Sequence, residues 1–481
     1  MGKIYDWIMK ITSAILLMLC TGMLVIALGV KAIYCYNDRP AFVQNDIWDA
    51  ITLVIIIVLL FIGIQWREVL NKIITLKYSI TIYCILAVLF VTFIPLKPFS
   101  DMQQIYDGAI EVAKGNLEYF YQNTYFTQYP NNMLITLVYG GIFFFFPNNV
   151  IVLKLLNILV ILGTVSISEK ILQIYWKNPY RNLFYIYGLS LVSVCLYVNH
   201  VYTDLIFVFF SLLGIYLYLK RPKRIWYVIA MFGVLFFIRP QAVFYVIAIA
   251  IHYLVKYKDS YLRKILSVLC GIILFVSCKF IITYGIETPI IGDIEHSMPV
   301  ASYVYMAFNE EEFGFQDGTH DLNRNFSDVE KRLEGYDKKT LLKIIGEKLE
   351  WTWTEGTYQA QRYAFGVNSG TQDKFEYVTP ITKYCLNSDW QWRNILDSFM
   401  RNQYLVLFTL TVPMFLEKNK GKYDIFIMLF AANMMFYIFW EIKSRYILPL
   451  YPFMLIISFI MLNNNMINKD KKNNLYESRE D

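Results

Sequence analysis

The residues of this sequence best suited to chemistry are carboxylates at the ends of long apolar runs. Asp101 follows one such run in the stretch FSDMQQIYDG, and Asp204 begins another in NHVYTDLIF. Two carboxylates at corresponding ends of apolar segments can carry out general acid–base catalysis, in which one of them takes a proton from the attacking group. We therefore predict Asp101 and Asp204 as catalytic residues. The alternative for each is a residue that only begins a helix.

The residues around Asp101 predict where a helix begins and ends. Ser100 and Gln103 have the spacing of a capping box, so a helix should begin at this point. It should run to about Lys114 and end at Gly115. Asp101 then occupies the first turn, where the helix dipole favours a carboxylate.

Cationic side chains lie near the ends of other apolar runs. Ionisable groups inside apolar segments are costly and often mark function, although long cationic side chains also reach out to lipid headgroups. Several of these cationic side chains at the same depth would form a pocket for a lipid phosphate. We predict these phosphate ligands: Arg239, Lys279, Lys443 and Arg445.

The common motifs for metals and nucleotides are missing from the sequence. Its 7 cysteines form no CxxC pair, and its 4 histidines form no HExxH motif. It contains no P-loop and no GxGxxG stretch. We therefore expect no metal and no other cofactor. The mild net charge of +6 reflects basic loops, and we expect no binding to nucleic acid.

The composition places these residues in a membrane protein. The chain is 57% hydrophobic and 17% charged, whereas soluble domains carry about 25% charged residues. Its apolar residues come in blocks of about 20, which is the length that crosses the ~30 Å hydrocarbon core of a bilayer. The sequence therefore predicts an all-α polytopic membrane protein. The first block, 11–30, is not followed by a cleavage site of small residues and should remain as a span.

The basic loops predict the orientation of the spans, because Lys and Arg collect on the cytoplasmic side. Basic clusters occur at 66–77, 177–181, 220–224, 256–264 and 417–422 and in the C-terminal tail. All of them can be cytoplasmic if the apolar block 131–146 lies in the outer interface and does not cross. An ordinary span with a broken charge pattern is the alternative. The spans then lie near 11–30, 50–66, 78–97, 150–170, 181–198, 203–219, 225–238, 241–255, 264–284, 403–416, 424–440 and 446–462.

This topology divides the chain into segments. We predict N-terminal spans at 1–97, a first outer loop with juxtamembrane helices at 98–149, a central bundle at 150–284, an extracytoplasmic loop domain at 285–402, C-terminal spans at 403–462 and a cytoplasmic tail at 463–481. In the loop domain, helical spacing predicts one helix over 327–351 and a second over 387–400. Four tryptophans should belong to an interfacial aromatic belt, with stacking on sugar rings as the alternative: Trp351, Trp353, Trp390 and Trp392.

Together these features resemble the GT-C-type integral membrane glycosyltransferases, in particular the superfamily of protein O-mannosyltransferases and lipid A aminoarabinose transferases. The resemblance lies in FSDMQQIYDGA and QYPNNMLITLVYGGIFFFFP in the first outer loop, in VYTDL and RPQA, and in RYILPLYPF near the C-terminal end. It covers most of residues 80–460 through short motifs. The additional spans before FSD depart from the simplest pattern of the family.

The resemblance implies a GT-C fold of about twelve spans and a sugar transfer on the outer face of a bacterial cell membrane. Asp101 would take the proton of an acceptor hydroxyl, which attacks the sugar of a polyprenyl-phosphate donor with inversion. Arginine and lysine would hold the departing phosphate without a metal. The acceptor would be a cell-surface polysaccharide, a teichoic acid, a lipid or a protein, and membrane lipids would surround the site. The resemblance and the neighbours of Asp204 suggest these substrate-binding residues: Tyr106, Asp107, Tyr129 and His200.

Three other functions remain open from the sequence. A polysaccharide or lipid transporter would carry polar residues through its spans and often an internal repeat. An enzyme resembling O-antigen polymerases would have arginine-rich outer loops. A structural or assembly subunit is the third.

Overall fold

The computed structural model describes most of the chain. Within the described residues the structure is helical apart from one two-stranded antiparallel hairpin. It is therefore the all-α, apolar architecture that the composition predicts. The predicted tail lies outside the described residues from 464 onward. The described ranges are 2–34, 40–177, 180–257, 259–292, 297–312, 314–315, 322–367, 373–385, 392–417 and 420–463.

The N-terminal segment contains a feature that the sequence did not predict. Two short strands follow the first helix and pair with Val30 opposite Gln44. Lys31 fixes this hairpin to the start of the next helix, because its Nζ lies 2.8 Å from Asp46 and 2.7 Å from Asp49. The elements are α1 (Gly2–Ala27), β1 (Val30–Tyr34), β2 (Pro40–Gln44), α2 (Ile47–Gln65), α3 (Arg67–Ile73) and α4 (Leu76–Phe93).

The first outer loop forms a packed group of short helices. They are α5 (Asp101–Ala113), α6 (Glu118–Gln122), α7 (Thr124–Gln128), a 3-10 turn (Pro130–Asn132) and α8 (Met133–Phe145). Helix α5 ends as predicted, with Gly115 at φ +76°. The predicted capping box is wrong, because the Ser100 side chain makes no cap hydrogen bond and its backbone adopts φ +51°.

Helix α8 packs closely on α5. A Cβ atom added at Gly140 would lie 2.4 Å from Val112, so only glycine allows this approach of the two helices. The 13 residues of α8 span ~20 Å, which is shorter than the ~30 Å hydrocarbon core. The helices of two predicted spans, Ala242–Lys256 and Asp424–Ile438, are nearly as short, so the interfacial position of 131–146 stays a prediction.

The central bundle is continuous with the first loop. Its helices are α9 (Val150–Tyr175), α10 (Arg181–Leu189), α11 (Val192–Leu196), α12 (Thr203–Lys220), α13 (Ile225–Leu235), α14 (Ala242–Lys256) and α15 (Tyr261–Ile282), with 3-10 turns at Tyr197–Asn199 and Pro222–Arg224. A π-helical turn, Thr283–Glu287, extends α15.

The predicted loop domain consists of short helices packed on the bundle. Its first predicted helix is two helices, because the chain turns at Gly335 and Asp337 then caps a new helix through the amide of Thr340 at 2.7 Å. Trp351 and Trp353 are fully buried, so the predicted interfacial belt is wrong for both. Trp392 is exposed, and Trp390 lies outside the described residues. The helices are α16 (Thr288–Ile291), α17 (Val300–Ala307), α18 (Phe326–Glu334), α19 (Lys338–Thr354), α20 (Ala360–Phe365) and α21 (Pro380–Cys385).

The second helix predicted there is confirmed from residue 392, and it continues into the next predicted span. The C-terminal part contains α22 (Trp392–Thr411), α23 (Asp424–Ile438) and a final helix over 451–463 (α24), with 3-10 turns at Val412–Leu416, Lys420–Lys422 and Ser444–Leu450.

Seven helices of the described residues are long and apolar enough to cross a bilayer, and up to 8 if the bent pair α10 and α11 forms one span. The remaining predicted spans fall on α13, α14, α22 and α23. Helices α14 and α23 have only 15 residues each, or ~22 Å. They are short because the chain unwinds at 236–241 and 439–443, beside cationic residues. The twelve-span topology therefore stays a prediction.

The predicted orientation can be checked with single cysteines in a variant that lacks the native ones. Glu118 and Lys223 are exposed residues at opposite predicted faces. We expect a membrane-impermeant maleimide to label Glu118→Cys in intact cells, and Lys223→Cys only after lysis. The reverse pattern would contradict the predicted topology, and so would labelling of both variants in intact cells.

Candidate functional site

The structure brings six predicted site residues to one cavity of about 670 Å³. They are Asp101, Tyr129, His200, Arg239, Lys443 and Arg445. The cavity lies where the unwound ends of α13, α14 and α23 meet the start of α5. Its walls come from 99–102, 128–132, 200–203, 236–241, 297–306, 315, 362–363 and 436–446.

Asp204 lies behind the cavity wall and pairs with two of the cations that line the cavity. The carboxylate is fully buried and does not itself line the cavity. Arg239 Nη2 lies 2.5 Å from it, Arg445 Nη1 3.4 Å and His200 Nε2 3.0 Å. Two guanidinium groups against one carboxylate leave a net charge of about +1 at neutral pH. The structure therefore makes Asp204 an anchor for two arginines.

The guanidinium of Arg445 lies among aromatic rings. Its Cζ is 4.8 Å from the ring centroid of Tyr363, 5.1 Å from that of Tyr202 and 5.7 Å from that of Tyr446. Its Nε has no hydrogen-bond partner among the described residues. Arg239, in contrast, donates its Nε to Thr203 Oγ1 at 3.3 Å. Arg445 thus keeps a donor for a further acceptor.

His200 also lines the cavity and belongs to the Asp204 cluster. Burial lowers the pKa of His200, against the opposing effect of the Asp204 carboxylate. The imidazole is therefore neutral at physiological pH, and its Nε2–H donates to Asp204. Its Nδ1 has no hydrogen-bond partner in the described part of the chain.

Asp101 stands apart from these cations. It begins α5, and one carboxylate oxygen accepts a hydrogen bond from Tyr202 Oη at 3.3 Å. It forms no ion pair with any described residue. The preceding Ser100 has the positive φ described above, a strain of about 1–3 kcal/mol that is common at functional sites. Asp101 is thus a partly exposed carboxylate held at the cavity wall.

Tyr129 and Glu441 complete the acidic side of the cavity. Burial raises the pKa of Tyr129 to about 12, with smaller contributions from the charges of Asp101 and Glu441. Glu441 accepts a short hydrogen bond from Tyr446 Oη and lies 3.8 Å from Lys443 Nζ. Tyr129 therefore remains protonated and can donate a hydrogen bond to a ligand.

Buried polar side chains of α9 hold the turns that carry the site. Lys154 Nζ donates to the carbonyl of Leu96 at 2.7 Å, just before α5. Asn157 Nδ2 donates to the carbonyl of His200 at 3.0 Å. These bonds fix the approach to Asp101 and the turn before Asp204, so α9 aligns the two walls of the cavity.

Besides Asp204, three predicted residues do not line the cavity. Lys279 is exposed on α15, with its Nζ 5.9 Å from the ring centroid of Phe236. Asp107 accepts hydrogen bonds at 2.8 Å from its neighbour Gln103. Tyr106 Oη donates to a backbone carbonyl at 3.3 Å. Asp107 points elsewhere because six residues of a helix turn through about 600°, which places it on another face from Asp101.

Sequence reasoning missed several residues of the cavity wall. Glu441 could have been predicted from the sequence, because it lies in EIKSRY close to the predicted phosphate ligands Lys443 and Arg445. Arg362 and Tyr363 carry no local signal, because the chain returns them to the cavity only by folding the 285–402 segment onto the bundle.

Comparison with protein-family models, curated proteins and solved structures finds no match. The resemblance to GT-C glycosyltransferases therefore remains a hypothesis based on short motifs. The described residues hold no cluster of three or more His, Cys, Asp or Glu side chains that could bind a metal ion. The geometry of the cavity is therefore the basis for a functional proposal.

Proposed function

We propose that this protein is a membrane glycosyltransferase of the GT-C type. It moves a sugar from a polyprenyl-phosphate donor to a hydroxyl group of an extracytoplasmic acceptor, with inversion at the anomeric carbon. One observation carries the proposal: a single cavity holds on one wall the carboxylate of Asp101, which forms no ion pair with any described residue, and on another wall Arg239 and Arg445. Tyr202 connects the two walls, since it donates to Asp101 and its ring faces Arg445.

The arginine wall suits a phosphate. A guanidinium presents parallel N–H groups that match phosphate oxygens, and it stays charged in a poorly hydrated site. Asp204 aligns Arg239 and Arg445 without neutralising both. Their excess positive charge would stabilise the phosphate as it leaves with the electron pair of the broken bond. Lys443 is a further candidate ligand at the same wall.

The carboxylate wall suits a general base. Asp101 would accept the proton of the acceptor hydroxyl while its oxygen forms a bond to the anomeric carbon and the bond to the phosphate oxygen breaks. Asp204 is a poor base, because its protonation would leave two buried guanidinium groups without a counter-charge. We therefore assign Asp204 a positioning role, which differs from the acid–base role that the sequence suggested.

The location of the cavity suits a lipid-linked donor. It lies at one end of the apolar bundle, where the phosphate of a lipid would reach the arginines while its chain remains in the bilayer. A sugar phosphate is small compared with a cavity of about 670 Å³, which leaves room for the attacking group.

The proposed function can be tested with purified protein in detergent and a panel of polyprenyl-phosphate sugars, with water or added glycans as acceptors. We expect the protein to consume one donor and release polyprenyl phosphate. If no donor is consumed but vesicles containing the protein move a lipid or polysaccharide across the bilayer, the protein is a transporter. In that case the proposal fails.

Metal independence is a separate prediction of this mechanism. Because arginine side chains balance the phosphate charge, EDTA should leave donor consumption within about twofold of the untreated enzyme. Donor consumption before and after EDTA treatment, with and without added Mg²⁺ or Mn²⁺, provides the measurement. Loss of activity that a divalent ion restores would replace the arginine mechanism with a metal-assisted one.

A further inference from the structure

A second cavity, of about 500 Å³, lies beside the first. Arg362 lines both, so the two cavities are neighbours. The hairpin β1–β2 forms one wall, the loop between α19 and α20 a second and the beginning of α22 a third. None of the predicted site residues lines this second cavity.

The loop wall carries a buried amide that nothing among the described residues satisfies. Gln359 is 1% exposed and lines the cavity. Neither its Oε1 nor its Nε2 has a hydrogen-bond partner in the described structure. Gln361 Oε1 and Ser398 Oγ, which belong to the same lining, are also buried without a described partner. Buried polar atoms are normally paired, so these groups point to a ligand that pairs with them.

The loop holds Gln359 firmly in place. Gly356, Tyr358 and Gln359 all have positive φ, at +71°, +54° and +58°. Tyr197 Oη donates a short hydrogen bond to the Tyr358 carbonyl, and Gly356 packs against Tyr404. The backbone that carries Gln359 into the cavity wall is therefore fixed.

The charges of the lining favour a neutral ligand. Cationic and acidic side chains are equal in number there, and the lining includes Lys31, Arg362, Arg393 and Arg401 together with Asp46, Asp49, Glu355 and Asp397. Several are already paired with each other, such as Lys31 with both Asp46 and Asp49.

We propose that the second cavity binds a neutral polyhydroxylated ligand, namely sugar units of the acceptor glycan. Sugar hydroxyl groups both donate and accept hydrogen bonds, and they match the amide of Gln359, the hydroxyl of Ser398 and the amide of Gln361. The identity of the ligand as the acceptor rests on the proposed function, whereas saccharide binding itself does not. The shared Arg362 places a bound glycan next to the cavity of Asp101.

The test uses the full-length protein in detergent and saturation-transfer NMR with neutral trisaccharides: maltotriose, cellotriose, mannotriose and chitotriose. Gln359→Leu removes both polar atoms at nearly constant volume, and Ser398→Ala removes the hydroxyl. Gln122→Leu, at an exposed position of α6, is the matched control. We expect the wild type and Gln122→Leu to bind at least one trisaccharide, and both cavity variants to bind it at least tenfold more weakly. The melting temperature of each variant shows whether it is folded.

Two results would overturn the inference. Either no trisaccharide binds to the wild type, or a folded Gln359→Leu variant binds as strongly as the wild type does, which would mean that the cavity holds water only. Donor consumption with water as acceptor is measured in parallel. If trisaccharide binds but no donor is consumed, the saccharide site stands and the glycosyltransferase proposal fails. If donor is consumed but no trisaccharide binds, the glycosyltransferase proposal stands and the saccharide site fails.

Discussion

Replacement of Asp101 by asparagine should lower sugar transfer by about 10²- to 10⁴-fold, which is the usual contribution of a general base. Asparagine keeps the size of the side chain and can still accept the hydrogen bond from Tyr202 Oη. It cannot accept the proton of the acceptor hydroxyl. Rates of sugar transfer at saturating donor, for wild type and variant at equal protein concentration, provide the measurement.

Asp107→Asn is the matched control for this experiment. Asp107 lies on the same helix, and its carboxylate is bonded to Gln103 away from the cavity. We expect its activity to stay within a few-fold of the wild type. Near-normal turnover of Asp101→Asn would exclude Asp101 as the base. Equal losses in both variants would indicate a general effect on α5.

Replacement of Arg445 by lysine should lower kcat/KM for the donor by about 10- to 150-fold. A hydrogen bond to a charged group contributes about 1.5–3 kcal/mol, and each ~1.4 kcal/mol is a factor of ten. Lysine keeps the positive charge but cannot at once contact Asp204 and present a planar fork to a phosphate. Arg445→Ala should lose more, because it removes the charge as well. Steady-state kinetics with the identified donor will measure both losses.

The control for Arg445 is Lys279→Ala. Lys279 was predicted as a phosphate ligand from its position near a span end, but it is exposed and lies outside the cavity. Its replacement should leave kcat/KM within about twofold of the wild type, since screened surface charges contribute little. A lysine variant at 445 with unchanged kinetics would mean that Arg445 only balances Asp204 and does not bind the donor.

The sequence predicted the elements of the fold better than their ends. Long apolar runs gave most helices, and Gly115 ended α5 as expected because its backbone needs positive φ. The predicted capping box failed at Ser100, whose own positive φ depends on its surroundings in the fold. The predicted spans 225–238 and 424–440 extend two or three residues beyond the ends of α13 and α23, since the apolar pattern does not show where a helix unwinds to present a cation to a cavity.

The sequence predicted that the site residues lie near corresponding ends of their apolar segments. It did not predict which of them are in contact. Asp101, Arg239 and Arg445 could be found because ionisable residues are rare in apolar runs. Their roles depended on tertiary structure: only the folded bundle shows that Asp204 binds both arginines. Residues from long loops, such as Arg362 and Gln359, could not be found, because no periodicity or motif links them to the cavities.

The short helices α14 and α23 have a consequence for the bilayer itself. They pack against each other, and each presents exposed apolar residues, such as Ile247 and Met435. In the twelve-span topology that we predict, both helices cross the bilayer, and their ~22 Å would face a hydrocarbon core of ~30 Å. Lipids would relieve this hydrophobic mismatch by thinning around the protein. Headgroups beside this pair of helices would then lie several ångströms deeper than elsewhere. Local thinning of the membrane would in this way place a lipid phosphate at the depth of Arg239 and Arg445.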